Sequence, residues 1–222
     1  MCAEEKASLQ RGMNFQLGGR YSVVLMSRRP NAPYRDQVED EGRTIVYEGH
    51  DAPRSSLVPT PKAVDQPLEI NGKRTQNGLF CDSAERFKTG MAAPERVRVY
   101  EKLHTGVWVY NGTFRLVDAW MERSDGRNLC KFRLELDPEA EAAATPRSDA
   151  EPTRVIPSQV KLTVWRRDHG QCVQCGSTDN LHFDHIIPFS RGGSRWSRRT
   201  SRSSAHATTS RSGTPSDSPL VA

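Results

Sequence analysis

With 222 residues, 35% of them hydrophobic, and a mean hydropathy of −0.70, the chain has room for one large domain or two small ones, but not for a core that uses its whole length. A net charge of +5 and a pI near 9.1 favour an anionic partner without requiring one. The N-terminus is too polar for a signal peptide and no apolar run nears the roughly 18 residues that span a bilayer, so the sequence predicts a cytoplasmic protein with no membrane partner.

Residues 1–17 read as a polar leader. Arg20–Met26 is β-branched and apolar enough for a strand, which Pro30, Asn31 and Pro33 break. Tyr34–Asp40 reads as an acidic loop, and Thr44–Tyr47 as a strand ending at Gly49. Residues 51–67 carry four prolines and must be a loop. Leu79, Phe80 and Phe87 are expected to face a core from a helix that Gly90 ends. Three strand-like runs follow, Arg96–Tyr100, Gly106–Tyr110 and Thr113–Trp120, with Asn111-Gly112 as a type I′ hairpin signal. Leu129–Leu136 alternates apolar and charged residues, the pattern of an antiparallel strand with one wet face. Tyr110, Trp108 and Trp120 are read as packing residues, since aromatic side chains on strands usually are.

Residues 137–157 are Ala-, Glu- and Pro-rich and read as a linker. Ser158–Arg167 is expected to be a short helix with Ser158 as its N-cap. It leads into a knuckle carrying Cys172 and Cys175. Of the five cysteines, only this pair has a meaningful spacing, which fits a metal site in a reducing compartment better than a disulfide framework. A strand ending in Asp184-His185 follows. A carboxylate beside an imidazole is suited to metal binding and to proton removal from water.

The order of signals in residues 18–136 resembles the SRA/YDG family, curved β-barrel modules that recognise modified cytosine in DNA. The resemblance rests on Tyr34-Arg-Asp-Gln-Val, Ile45-Val-Tyr-Glu-Gly49, Val107-Trp-Val-Tyr and Lys131-Phe-Arg-Leu, with Tyr110-Asn111-Gly112 in place of the name-giving Tyr-Asp-Gly. It implies that a flipped base is sandwiched between Tyr34 and Tyr47. Asp36 or Gln37 would read the base edge, the family's aspartate position falling on Gln37 and an aspartate standing one residue earlier. Arg28, Arg29, Arg35, Lys73 and Arg74 are candidate phosphate contacts.

The segment from Arg167-Asp168 through Cys172-x2-Cys175-Gly176 to Asp184-His185-Ile-x-Pro188 resembles HNH endonucleases, which have a ββα-metal fold. The resemblance implies that Cys172 and Cys175 form half of a structural Zn²⁺ site. It also implies that Asp184 binds catalytic Mg²⁺ or another divalent metal, and that His185 is the general base. The family's further Asn, second cysteine pair and closing ligand are missing: beyond His185 there is no Asn, no Cys, and only His206. Residues 194–222 read either as a disordered basic Ser/Arg-rich tail or as the product of a reading-frame shift near Ser194.

The sequence therefore predicts an α+β chain: a β-rich SRA-like curved barrel (18–136), then a small, incomplete ββα-metal domain (158–193). The expected function is that of a modification-dependent restriction endonuclease acting on double-stranded DNA with 5-methylcytosine or a relative, impaired in this chain. The alternative is a reader of modified DNA with a vestigial nuclease. A single-strand- or RNA-binding barrel with a zinc knuckle is a third reading. The resemblance also allows a homodimer, one nuclease per strand.

Overall fold

The computed structural model describes Glu5, Leu9 and residues 11–105, 107–139, 158–173, 176, 178, 181–185 and 201–205. Its centre is one seven-stranded sheet. The strands are β1 (Met13–Leu17), β2 (Tyr21–Met26), β3 (Gln37–Glu39), β4 (Thr44–Glu48), β7 (Glu95–His104), β8 (Val107–Ser124) and β9 (Arg127–Leu136). They lie in the order β1-β2-β7-β8-β9-β4-β3. Every neighbour pairs antiparallel except β2 and β7, which run parallel. Two-residue strands β5 (Glu69–Ile70) and β6 (Lys73–Arg74) make a small separate hairpin. Among the described residues the chain is mostly sheet, with no helix long and apolar enough to cross a membrane.

The sheet is open, with β1 and β3 as its edges, where the sequence predicts a barrel. Strand β8, 18 residues long, carries bulges. Val99 pairs with Gly112 and Tyr100 with Tyr110, so Asn111 is an extra residue in the ladder. A second irregularity falls between Leu116 and Asp118 against β9. Each bulge bends and twists its strand.

The Asn111-Gly112 pair is therefore not a hairpin turn. Gly112 does adopt positive φ, at +115°, as such a pair allows. The strand nevertheless continues through it, because β7 offers a full ladder on both sides and the Asn111 side chain is bonded to Glu101. The reversal between β7 and β8 lies instead between His104 and Val107.

The leader assignment fails at its C-terminal end. Met13–Leu17 pairs with β2, and Met13 is fully buried. The polar composition around it masks a five-residue edge strand.

Helix α1 (Gln76–Lys88) closes one face of the sheet. Thr75 caps it by accepting from Gly78 N, and Gly90 follows its end as expected. Phe80 and Ala84 are buried from the helix side; Leu79 and Phe87 are only half-buried. Phe80 meets Phe15 and Phe132 edge-on at centroid distances of 5.4 and 5.6 Å. The core between helix and sheet includes Met13, Val24, Met26, Ile45, Tyr47, Val97, Val99, Phe114, Leu116 and Leu134. Strand β9 has no simple wet face: Lys131 is buried and pairs with buried Glu48 at 3.0 Å. The alternation fits, but a charged position had a partner waiting inside.

Helix α2 (Ser158–Arg167) matches the predicted span and docks beside β7. Ser158 is its first helical residue, and its hydroxyl bonds to Glu101 instead of capping. Lys161 Nζ lies 2.9 Å from Glu101 Oε2, both side chains almost wholly buried. For Glu101, burial pushes the carboxyl up, but Lys161 and the bonds from Ser158 and Asn111 outweigh it and hold it low. Trp165 stacks on His104 at 5.9 Å. Beyond α2, β10 (Leu181–His185) pairs antiparallel with β11 (Ser201–Ala205). That strand lies inside the segment expected to be a disordered tail; the rest of that tail, and residues 140–157 of the linker, lie outside the described residues.

Removing one member of a buried ion pair leaves the other uncompensated, at a cost of about 3–5 kcal/mol. Lys161→Met should therefore undock α2 without unfolding the sheet. Hydrogen exchange checks this: amides of 158–167 should lose protection while those of α1 and β9 keep theirs.

Candidate functional site

A cavity of about 450 Å³ opens where β2 and β4 leave the sheet. Its lining includes Gly12, Leu25, Ser27, Tyr34, Asp36 and His50, with Arg11, Arg29, Lys102 and Trp108 also contributing. This size is ordinary for a small-molecule or nucleobase site.

Asp36 is fixed by the backbone. Its Oδ2 accepts from Ser27 N and its Oδ1 from Glu48 N, each at 3.1 Å. Burial pushes its carboxyl up to about 7 despite these bonds and the nearby Lys131, with Glu48 adding to the rise. Near neutral pH the group is thus divided between a pure acceptor and a neutral acid that both donates and accepts. Gln37, the alternative edge reader, lies on β3 with its side chain exposed.

Tyr34 lies on the segment between β2 and β3. The His50 ring is stacked on it, 5.0 Å between centroids and 10° between planes. Lys62 Nζ stands 4.4 Å from the Tyr34 ring centre and pairs with Asp51 at 3.0 Å. Tyr47 is placed differently. Its ring is buried in the core, and its hydroxyl reaches Gly12 O at 3.1 Å and His50 Nε2 at 3.1 Å. The structure brings Tyr34 and Asp36 to one cavity and sets Tyr47 behind His50.

His50 is held from several sides. Its backbone N–H donates to Asn77 Oδ1 at 2.9 Å, and Asn77 Nδ2 donates back to its carbonyl at 2.8 Å. A Cβ on Gly12 would come within 2.5 Å of its Nε2, so only glycine permits this approach. Burial, against the pull of Asp51 and with help from Lys62, lowers its pKa to about 4. The ring is therefore neutral at physiological pH.

The predicted phosphate contacts scatter. Arg29 lines the cavity, and Arg28 sits beside it over the recess between β7 and α2. Arg35 is exposed and paired with Asp125 at 2.9 Å. Lys73 and Arg74 lie on β6, where Arg74 Nε donates to Asp82 at 2.8 Å. Sequence reasoning missed Arg11, Gly12, His50 and Lys102. His50 had a usable signal, a polar aromatic two residues from the end of a buried strand. Arg11 and Gly12 were hidden by the leader assignment.

In the C-terminal segment Cys172 is buried, while Cys175 lies outside the described residues. Asp184 and His185 are the last two residues of β10. Among the described residues no three His, Cys, Asp or Glu side chains stand close enough to hold a metal ion.

No family model matches the chain, and no curated protein matches it. Among solved structures it is similar to the SRA domain of SUVH5 complexed with hemimethylated CG DNA. That match has a TM-score of 0.39 and 23% identity over 58% of this chain and 74% of that one. The same domain bound to fully hydroxymethylated CG DNA aligns with a TM-score of 0.39, 21% identity, and 58% and 75% coverage. SUVH9 aligns with a TM-score of 0.40 and 20% identity over 71% of this chain and 27% of that chain.

Asp36 and His50 act on stability in opposite senses. Asp36, with its raised value, contributes stability that is complete below the ordinary aspartate range and lost as pH rises through about 7. His50, with its lowered value, contributes stability that is present above the ordinary histidine range and lost as pH falls through about 4. Between these limits the trends oppose. Asp36→Asn should leave the histidine trend alone, so the variant's melting temperature should rise more steeply than the wild type's from pH 4.5 to 6.5 in thermal melts.

Proposed function

We propose that this chain reads modified cytosine in double-stranded DNA by seating one flipped base in the cavity beside Tyr34 and Asp36. The observation that carries the reading is the placement of an aromatic ring and a half-buried, backbone-held carboxyl of raised pKa on one cavity wall. A neutral carboxyl offers one donor and one acceptor, the complement of the N3 acceptor and N4–H donor of cytosine. Arg11, Arg29 and Lys102 on the same lining supply positive charge for the phosphates around a flipped nucleotide. Stacking contributes ~1–3 kcal/mol per base, enough with hydrogen bonds to offset the few kcal/mol that extrusion costs. The SRA/YDG-like order of motifs in residues 18–136 points the same way.

Fluorescence anisotropy with duplexes that differ only in one 5-methylcytosine tests it. The wild type should prefer the modified duplex, and Tyr34→Ala should lose about tenfold of that affinity. Because Asp36 donates only when protonated, affinity should fall between pH 6 and 8.5. Equal binding to both duplexes at every pH would sink the reading.

A second reading adds nuclease chemistry, favoured by Cys172-x2-Cys175 and by Asp184-His185 at the end of β10. Cys172 and Cys175 would be half of a zinc site, Asp184 a ligand of a divalent metal and His185 the general base. The partner donors that the HNH pattern calls for are missing from the sequence after His185, so cleavage is expected to be weak or absent while DNA binding is retained. Incubating methylated plasmid with the chain and Mg²⁺ or Mn²⁺ checks this. Robust cutting that His185→Ala abolishes would establish the nuclease instead.

A further inference from the structure

We propose that His50, not Tyr47, is the second aromatic surface against which the flipped base stacks, with Tyr34 as the movable face opposite. This rests on the reading of the cavity as a base site. It assigns to His50 a role the sequence pattern gives to Tyr47.

Tyr47 cannot present its ring without leaving the core. It is 1% exposed and packs in the cluster that contains Ile45, Phe80 and Phe132. Only its hydroxyl points outward, and it meets His50 Nε2. Three polar atoms surround that one hydroxyl: the acceptors Gly12 O at 3.1 Å and Leu25 O at 3.4 Å, and His50 Nε2 at 3.1 Å, which accepts or donates with its tautomer. One proton serves one of them. If the hydroxyl donates to a carbonyl, Nε2–H can donate to the hydroxyl oxygen, and the pair gains two bonds instead of one. That arrangement holds the imidazole tilted by 41° to the Tyr47 ring, with one of its faces turned to Tyr34 at the cavity.

His50 and Tyr34 now lie in direct contact, at 5.0 Å. A base between two rings needs twice the stacking spacing, so one side must yield. His50 is tied by Asn77 on both sides of its backbone, by Tyr47 at Nε2 and by the glycine cradle at Gly12. Tyr34 lies outside the strands, on the connection between β2 and β3; its ring meets His50 and the half-exposed Lys62, and its hydroxyl is held by one bond, from the Asp51 backbone on the proline-rich loop. The Tyr34 side opens, and His50 stays as the floor. Its neutral ring suits a base face, since an uncharged imidazole has no Coulomb attraction for phosphate.

The test compares wild type, His50→Ala and His50→Phe in full-length chains by fluorescence anisotropy on methylated and unmodified duplexes. Loss of one stacking face predicts that His50→Ala binds the methylated duplex about tenfold or more weakly. The same variant should bind the unmodified duplex about as well as wild type, and His50→Phe should keep most of the methylated-DNA affinity. If Ala lowers the melting temperature below the assay range, His50→Leu, which fills the space without an aromatic face, takes its place. An alanine or leucine variant that binds methylated DNA as tightly as wild type, or more tightly, overturns the proposal and makes the ring a plug that the base displaces. A wild type with no preference for the methylated duplex overturns the base-site reading itself, whatever the variants do.

Discussion

The site depends on how the backbone of β4 is satisfied where it leaves the sheet. A buried N–H or carbonyl without a partner costs ~1–3 kcal/mol, and strand ends generate such groups. Here Gly49 N donates to Cys130 O at 2.8 Å, while Gln66 Nε2 donates to Gly49 O at 2.7 Å and Gln66 Oε1 accepts from Cys130 N at 2.8 Å. Asn77 then takes both backbone groups of His50. Two amide side chains, one from the proline-rich loop and one from α1, thus continue the ladder past its end. A Cβ at Gly49 would stand 2.7 Å from Asn77 Oδ1 and 2.9 Å from Gln66 Oε1, so this closure requires glycine. Everything on the cavity floor inherits its position from this clamp.

Two buried ion pairs frame the same region. Lys131 and Glu48 join β9 to β4, and Glu48 Oε2 also accepts from Arg35 N at 3.2 Å, on the segment that carries Tyr34 and Asp36. Lys161 and Glu101 join α2 to β7. Buried pairs contribute little net stability against apolar replacements of the same volume, but they penalise wrong registers severely when one partner is misplaced. In this fold they sit where segments distant in sequence must meet. Arg29 and Lys102 line both the cavity and the small recess beneath α2, so the cavity mouth and the helix seat share side chains. The C-terminal segment is therefore attached to the sheet beside the site, through a contact that is charged and specific more than greasy.

Much of the framework was legible. The runs at Tyr21–Met26 and Thr44–Tyr47 are strands rich in β-branched and apolar residues, and those at Arg96–Tyr100 and Leu129–Leu136 alternate apolar with charged residues, local properties that tertiary context did not override. Helices Gln76–Lys88 and Ser158–Arg167 also fall where the pattern puts them. The failures were contextual. Asn111-Gly112 has the chemistry of a tight turn, and only the long β7 partner and the Glu101 bond convert it into a bulge. Met13–Leu17 is too short and too polar in its surroundings to announce an edge strand, yet pairing with β2 buries Met13.

The division at the site follows the same line. Sequence by itself determined which residue types were available: tyrosines and an aspartate near strand ends, basic residues nearby, and a cysteine pair preceding Asp184-His185 in a pattern that stops short. Which of them share a cavity was decided by the tertiary structure. Period-two alternation fixes the face of a strand that a side chain occupies, but not what covers that face. Core packing took Tyr47 inward, backbone bonds to Ser27 and Glu48 set Asp36 and not Gln37 on the wall, and the absence of a side chain at Gly12 made room for His50. Those three outcomes depend on contacts between separate segments, 9 residues apart for Ser27 and Asp36 and 35 for Gly12 and Tyr47, and a local pattern carries no record of them.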